Sequence, residues 1–239
     1  MNGHCRCGVA SMAVHGAPGG RDQGENIFLP RKAKIMRLEQ FTATERRLTL
    51  RLEDAPQLDF EPGQFLELSL FGYGEIPIGI ASSPTTKGSF DVVVRAVGRV
   101  YKALSGLHQG DSLFLRGPFG KGFDLKKLRG HDLLIVAGGV GLCPTRSLIN
   151  YVLDRRTEFK RFTLFYGARE PEQQLFPRDL ERWRVSKDIE FHETVDRAGS
   201  SWKGNVGVIT TLFGKTDISP AARAVVCGPP IMFRFVIAG

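Results

Sequence analysis

The chain has 239 residues and a formal net charge of +8, with 42% apolar and 24% charged residues. That length fits two domains of about 100–120 residues each, and the composition is that of a globular protein, neither disordered nor fibrous. No apolar run approaches the ~18–20 residues of a membrane span, and the basic residues are scattered among acids instead of forming an aromatic-interleaved stripe, which argues against a membrane span and against nucleic-acid binding.

Residues 1–25 contain six glycines and few large apolar side chains, and they read as a flexible extension. No apolar h-region follows the first basic residue, so the protein is expected in the cytoplasm. Cys5 and Cys7 offer two metal ligands, but only His4 and His15 stand near them, and no metal site is expected. The other cysteines, Cys143 and Cys227, fall at the ends of predicted strands. A disulfide framework is therefore not expected.

From Lys32 onward the rhythm is that of short strands. Leu48, Leu50 and Leu52 alternate with polar residues; Phe65–Leu70 follows a Pro62-Gly63 turn; Phe90–Val94 and Leu113–Leu115 follow further turns. This spacing predicts a small antiparallel barrel over residues 26–124. After Gly117-Pro118-Phe119-Gly120 the pattern changes to strand, helix, strand. Strands are predicted at 133–137, 162–166, 189–195 and 224–227, with helical spacing at 145–155 and 179–184 and a short helix opening at 208–212. Such alternation predicts a parallel sheet with helices on both faces over residues 125–239. The last helix, opening near Pro230, reaches Gly239 without a cap and reads as truncated.

Three predicted strand ends carry loop chemistry. Leu133–Ala137 runs into Gly138, Gly139, Val140 and Gly141, with Pro144 placed where a helix opens and Thr145 following. A strand, a glycine turn and a helix N-terminus form an anion cradle, because the glycines let backbone N–H groups approach and the helix dipole favours negative charge. The spacing is Gly139-x-Gly141-x-x-Pro144, a proline where the dinucleotide fingerprint has its third glycine. The second end is Tyr166-Gly167-Ala168-Arg169, whose arginine offers paired donors to a ribose or phosphate. The third is Cys227-Gly228-Pro229-Pro230; with no histidine in the neighbouring loops, Cys227 reads as a packing residue and not a nucleophile.

Seven segments stand in a telling order: Pro62-Gly63-Gln64-Phe65, Ile78-Gly79-Ile80-Ala81-Ser82-Ser83-Pro84, Val97-Gly98-Arg99-Val100, Gly117-Pro118-Phe119-Gly120, Gly138-Gly139-Val140-Gly141, Tyr166-Gly167-Ala168-Arg169 and Cys227-Gly228-Pro229. Together they resemble the ferredoxin-reductase-type flavoproteins, and within them the FAD- and NAD(P)-binding gamma subunits of soluble hydrogenases (sulfhydrogenases) and the corresponding subunit of anaerobic sulfite reductase. The resemblance implies an antiparallel flavin-binding β-barrel followed by a nucleotide-binding α/β domain. FAD would contact Ile78, Gly79, Ile80, Ala81 and Ser82, then Val94, Arg95, Val97, Gly98, Val100 and Tyr101, with Arg95 on a phosphate. NAD(P)H would contact Gly138–Gly141, Pro144, Thr145, Gly167, Ala168, Arg169, Asp196, Cys227, Gly228, Pro229 and Pro230. No side chain is required as acid or base, because the cofactors carry the chemistry; Gly79 and Cys227 would lie nearest the flavin and nicotinamide.

The chain departs from the family's Arg-x-Tyr-Ser flavin pattern, with Ile76, Ile78 and Gly79 in the Arg, Tyr and Ser positions. No cysteine follows Cys227, so the [2Fe-2S] motif of gamma subunits is missing from this chain. The implied function is an electron-transfer subunit that exchanges hydride between NAD(P)H and FAD and passes single electrons to an iron–sulfur partner of a hydrogenase or a sulfite or sulfur reductase. A stand-alone flavin or ferredoxin reductase and a non-catalytic assembly subunit are the alternatives.

Overall fold

The computed structural model describes residue 26 and residues 28–236; the predicted extension at 1–25, with its cysteines and histidines, lies outside the described residues. The first half forms β1 (Arg31–Gln40), β2 (Glu45–Leu52), β3 (Phe65–Leu70), β4 (Gly74–Gly79), β5 (Phe90–Arg95), α1 (Gly98–Ser105) and β6 (Ser112–Phe119). The six strands pair antiparallel in the order β4-β3-β6-β1-β2-β5. A bridge between Ile80 and Val92 joins the two edge strands and closes the sheet into a barrel. Alternation places Leu48, Leu50, Leu66, Leu68, Val92, Leu113 and Leu115 inside, each no more than 1% exposed. Each such side chain contributes about 1.5–3 kcal/mol by leaving water.

After the short α2 (Leu125–Leu128), the second half comprises β7 (Leu133–Gly138), α3 (Leu142–Asp154), β8 (Phe162–Ala168), α4 (Pro177–Val185), β9 (Glu190–Val195), β10 (Asn205–Val206), β11 (Arg223–Cys227) and α5 (Pro230–Val236). Its strands are parallel, in the order β10-β9-β8-β7-β11. The unbroken apolar run of β7 is buried on both faces. Leu133, Ile135 and Ala137 pack with α3 and α4, while Leu134 and Val136 pack with Leu212 and Met232 on the other side. The chain proceeds from β7 outward through β8 and β9, then returns to β11 on the opposite side, so the strand order reverses at β7. Ligands of open parallel sheets collect at such a reversal. Among the described residues no helix is long and apolar enough to cross a membrane, and no cluster of metal-ligating side chains occurs.

Several local expectations are corrected. The Ile78–Ser82 segment, which the resemblance sets against the flavin, leaves the strand at Gly79, because the Ile80 and Ala81 amides turn to the carbonyls of Gln64 (3.1 Å) and Asp91 (2.8 Å) at a barrel corner. Helix α3 begins at Leu142, so Pro144 occupies the third helical position. Proline is tolerated there because the first four helical N–H groups have no intrahelical partner. The segment expected to open a helix at 208–212 is a 3-10 helix, Ile209–Lys215.

Candidate functional site

The three glycines after β7 do different work. Gly139 has φ +53° and no heavy atom near the place of a Cβ, so it is the open point of the turn. A Cβ on Gly138 would stand 2.6 Å from the Met232 sulfur, and one on Gly141 would stand 2.2 Å from the Cys227 carbonyl oxygen. Those two positions need glycine for close packing against β11 and α5. Thr145 is fully buried and its hydroxyl donates to the Gly141 carbonyl at 2.8 Å, bracing the turn from behind. Burial pushes the Cys143 thiol up to about 12 and raises that of Cys227 as well, so neither is a ready thiolate.

Two cavities meet at this turn. The smaller, about 200 Å³, is largely apolar and lies between the ends of β7, β8 and β9 and the α5 side chains Ile231, Met232 and Phe235. Gly167, Arg169, Asp196, Val208, Ile209 and Thr210 complete its wall. The larger, about 530 Å³, runs from Gly138, Gly139 and Val140 past Gln173 to the barrel, reaching Thr42–Glu45 and Arg95. Gly138, Gly139, Ala168, Arg169 and Pro229 border both. The Asp196 and Arg197 amides donate to the carbonyls of Ala168 (3.0 Å) and Arg169 (2.9 Å), which latches β9 to β8 and keeps Asp196 and Arg169 at the rim.

On the barrel side, the Arg95 Nε lies 3.1 Å from Glu45 Oε1, and the Arg95 side chain is 59% exposed toward the crevice. Glu45 is itself buried and accepts from the Thr44 hydroxyl at 2.8 Å and from that of Thr42. Gly98 adopts φ +82° where α1 opens, and the first turn carries Arg99 and no acid. Val97 is exposed and Ile78 is half-buried at the surface of the barrel. Ile80, Ala81, Val94 and Val100 have buried side chains, so only their backbones remain to meet a ligand, whereas Tyr101 packs on the barrel core and is partly exposed. The Ser82 hydroxyl is occupied by the Asp91 amide at 3.0 Å.

The structure thus brings Gly138, Gly139, Val140, Gly167, Ala168, Arg169, Asp196, Pro229 and Arg95 to one crevice. Gly141, Thr145, Cys227 and Gly228 stand behind the turn, and Pro230 is exposed where α5 opens. The sequence reading missed the α5 side chains, although Ile231 and Phe235 stand four residues apart on one helical face. It also missed Thr42–Glu45, a hairpin connection without a motif.

Comparison with known proteins agrees with this geometry. An oxidoreductase FAD-binding domain profile matches residues 32–123, and an oxidoreductase NAD-binding domain profile matches residues 135–237. Sulfhydrogenase 1 subunit gamma of Pyrococcus furiosus is 34% identical over 219 residues, covering 89% of this chain and 75% of that protein. Sulfhydrogenase 2 subunit gamma of the same organism is 31% identical over 228 residues, covering 89% and 78%. The chain belongs to the FAD- and NAD-binding oxidoreductases. Its fold is shared with a ferredoxin NADP+ reductase from Neisseria gonorrhoeae solved with bound FAD and NADP, at a TM-score of 0.72 and 21% identity, covering 90% of this chain and 92% of that one.

Within this family the altered flavin pattern acquires a structural cause. A Cβ on Gly79 would stand 3.2 Å from the Pro144 Cβ, so the first turn of α3 occupies the side on which a serine would project. The Ile80 and Ala81 amides are engaged within the barrel and do not replace that hydroxyl. The apolar Ile78 and the acid-free α1 N-terminus with Arg99 remain compatible with a flavin and its diphosphate.

Proposed function

We propose that this oxidoreductase is the FAD- and NADH-binding electron-transfer subunit of a multi-subunit complex, with the flavin on the 26–124 barrel and the nucleotide on residues 125–239. The observation that carries the reading is the sharing of Gly139 by two unlike cavities. A dinucleotide laid across β7 has its diphosphate over the open glycine, its adenosine half in the apolar cavity and its nicotinamide half in the crevice facing the barrel. Arg169 borders that path and offers guanidinium donors to the diphosphate, while Arg95, on the barrel side of the crevice, is left for a phosphate of the flavin. Asp196, at the rim of the apolar cavity, suits ribose hydroxyls and repels a 2′-phosphate, which favours NADH over NADPH. Bound together, the nicotinamide and flavin supply the hydride and single-electron chemistry. The chain's own residues orient the rings and narrow the crevice.

The relatives' designation as gamma subunits supports a partner that takes the electrons, and an iron–sulfur subunit of a cytoplasmic hydrogenase or sulfur-reducing complex fits that role. The test is a visible spectrum after reconstitution with FAD, followed by anaerobic titration with NADH and NADPH. Flavin bands near ~450 nm that bleach faster with NADH are expected. No flavin uptake would overturn the enzymatic reading in favour of an assembly subunit. Asp196→Ser should raise the NADPH rate relative to NADH, and an unchanged ratio would remove Asp196 from nucleotide selection.

A further inference from the structure

One buried cation joins the barrel to the parallel sheet. Arg146, two residues beyond Pro144 on α3, is 8% exposed. Its Nη1 donates to the Ala81 carbonyl at 2.8 Å and lies 3.3 Å from Asp91 Oδ2, both on the barrel. Its Nε donates to Asp179 Oδ2 on α4 at 2.5 Å, and its guanidinium carbon lies 4.5 Å from the Phe176 ring centroid. Phe176 holds φ +54°, an uncommon conformation for a bulky residue, and meets Phe41 of the barrel edge-on at 4.8 Å. The desolvation of a buried guanidinium is offset only when several partners hold it in one geometry. Here those partners come from both halves of the molecule.

The contacts across the seam run in step. Gly79 faces Pro144, and two residues later on each segment the Ala81 carbonyl accepts from Arg146. The exit of β4 is therefore registered against the first turns of α3, and α3 begins at the Gly139 turn. We propose that Arg146 is a positioning residue. By gripping the Ala81 carbonyl and Asp91, it fixes the distance between the flavin wall at Ile78–Gly79 and the nucleotide turn at Gly139. This rests on the function proposed above. A lysine in its place keeps the charge but lacks the planar fork that reaches a carbonyl, two carboxylates and a ring together.

The test uses the full chain reconstituted with FAD, comparing Arg146→Lys and Arg146→Ala with Asp154→Asn. Asp154 is the far-end seam contact of α3, accepting from the Thr85 hydroxyl. In Arg146→Lys the NADH dissociation constant should stay within about threefold while the rate of flavin reduction falls by about tenfold or more, since small misplacements of reacting groups act mainly on the chemical step. The flavin–nicotinamide charge-transfer absorbance should weaken in parallel, and Asp154→Asn should leave the reduction rate unchanged. Hydrogen exchange gives a readout without cofactor: the Ala81 amide, which donates to the backbone carbonyl of Asp91 at 2.8 Å, should lose protection in Arg146→Lys. If Arg146→Ala fails to fold, Arg146→Lys carries the test. Wild-type reduction rate and wild-type Ala81 protection in Arg146→Lys would overturn the inference. Absence of flavin in the wild-type chain would instead overturn the function, with the exchange measurement still deciding the role of Arg146.

Discussion

A methyl group separates the roles of the glycines around the turn. Gly141→Ala would press a Cβ to 2.2 Å from a carbonyl oxygen, so the backbone of the turn or of β11 must move. Its expected cost is about 3 kcal/mol, read as a lowered urea midpoint, at the upper end of what overpacking does. Gly139→Ala meets nothing and suffers only its left-handed φ, a cost of about 1 kcal/mol. Its effect falls on binding instead, and the dissociation constant for NADH should rise with little change in the unfolding midpoint. Equal behaviour of the two variants would contradict the division of labour. Gly79→Ser, which restores the family's hydroxyl, brings its Cβ to 3.2 Å from Pro144 and should lower stability by about 1 kcal/mol without raising the reduction rate. A faster flavin reduction in that variant would show that the missing hydroxyl, not the Pro144 contact, governs the site.

At the scale of elements, what the sequence made legible was what depends on period and run length. The buried strand β7, the alternating barrel strands and the glycine turn all follow from patterns within ten or so neighbours. Features that join distant segments were not legible. Arg146 sits among the buried residues of α3 with nothing in its spacing to distinguish it from a solvated arginine. The β4 corner depends on Gln64, in the turn before β3, and on Asp91 of β5, both distant in sequence. Helix α5 falls between these cases, because its apolar face is visible but its orientation toward the apolar cavity comes from the β11 packing. Phe235 is 59% exposed, so Phe235→Ala should change stability by no more than about 0.5 kcal/mol. If α5 walls the adenosine cavity, the same substitution should weaken NADH binding several-fold while the maximal reduction rate holds. Unchanged affinity would detach α5 from the site.

For the molecule as a whole, the groups whose ionisation is most suppressed cluster in the nucleotide half. Burial raises the Cys143 thiol from 9.0 to about 12 and also raises the Cys227 thiol and the Tyr166 phenol, whose oxygen accepts from the Leu175 amide at 3.0 Å. These are acids that are neutral when protonated, and their folded values lie above their unfolded ones. Below pH 9 both states keep the Cys143 proton, and folding is indifferent to pH on its account. Between pH 9 and 12 the unfolded chain releases the Cys143 proton that the folded chain retains, so stability falls by about 1.4 kcal/mol per pH unit on its account, and Cys227 and Tyr166 act in the same direction. The opposite trend belongs to surface pairs such as Glu75–Arg116, where the guanidinium's hydrogen bonds hold the carboxyl below its usual range. Their contribution is present at neutral pH and fades as pH drops through that lowered value, and exposed pairs of this kind contribute little. The protein should therefore lose stability more steeply on the alkaline side, beginning near the ordinary thiol range. Urea unfolding across pH 7 to 10.5 would show it, with the Cys143→Ala variant declining less steeply than wild type above about pH 9 because one suppressed ionisation is gone. Parallel slopes for the two proteins would mean that the Cys143 thiol is already solvated in the folded state, and that the packing between α3 and β11 is looser than the 2.2 Å constraint at Gly141 requires.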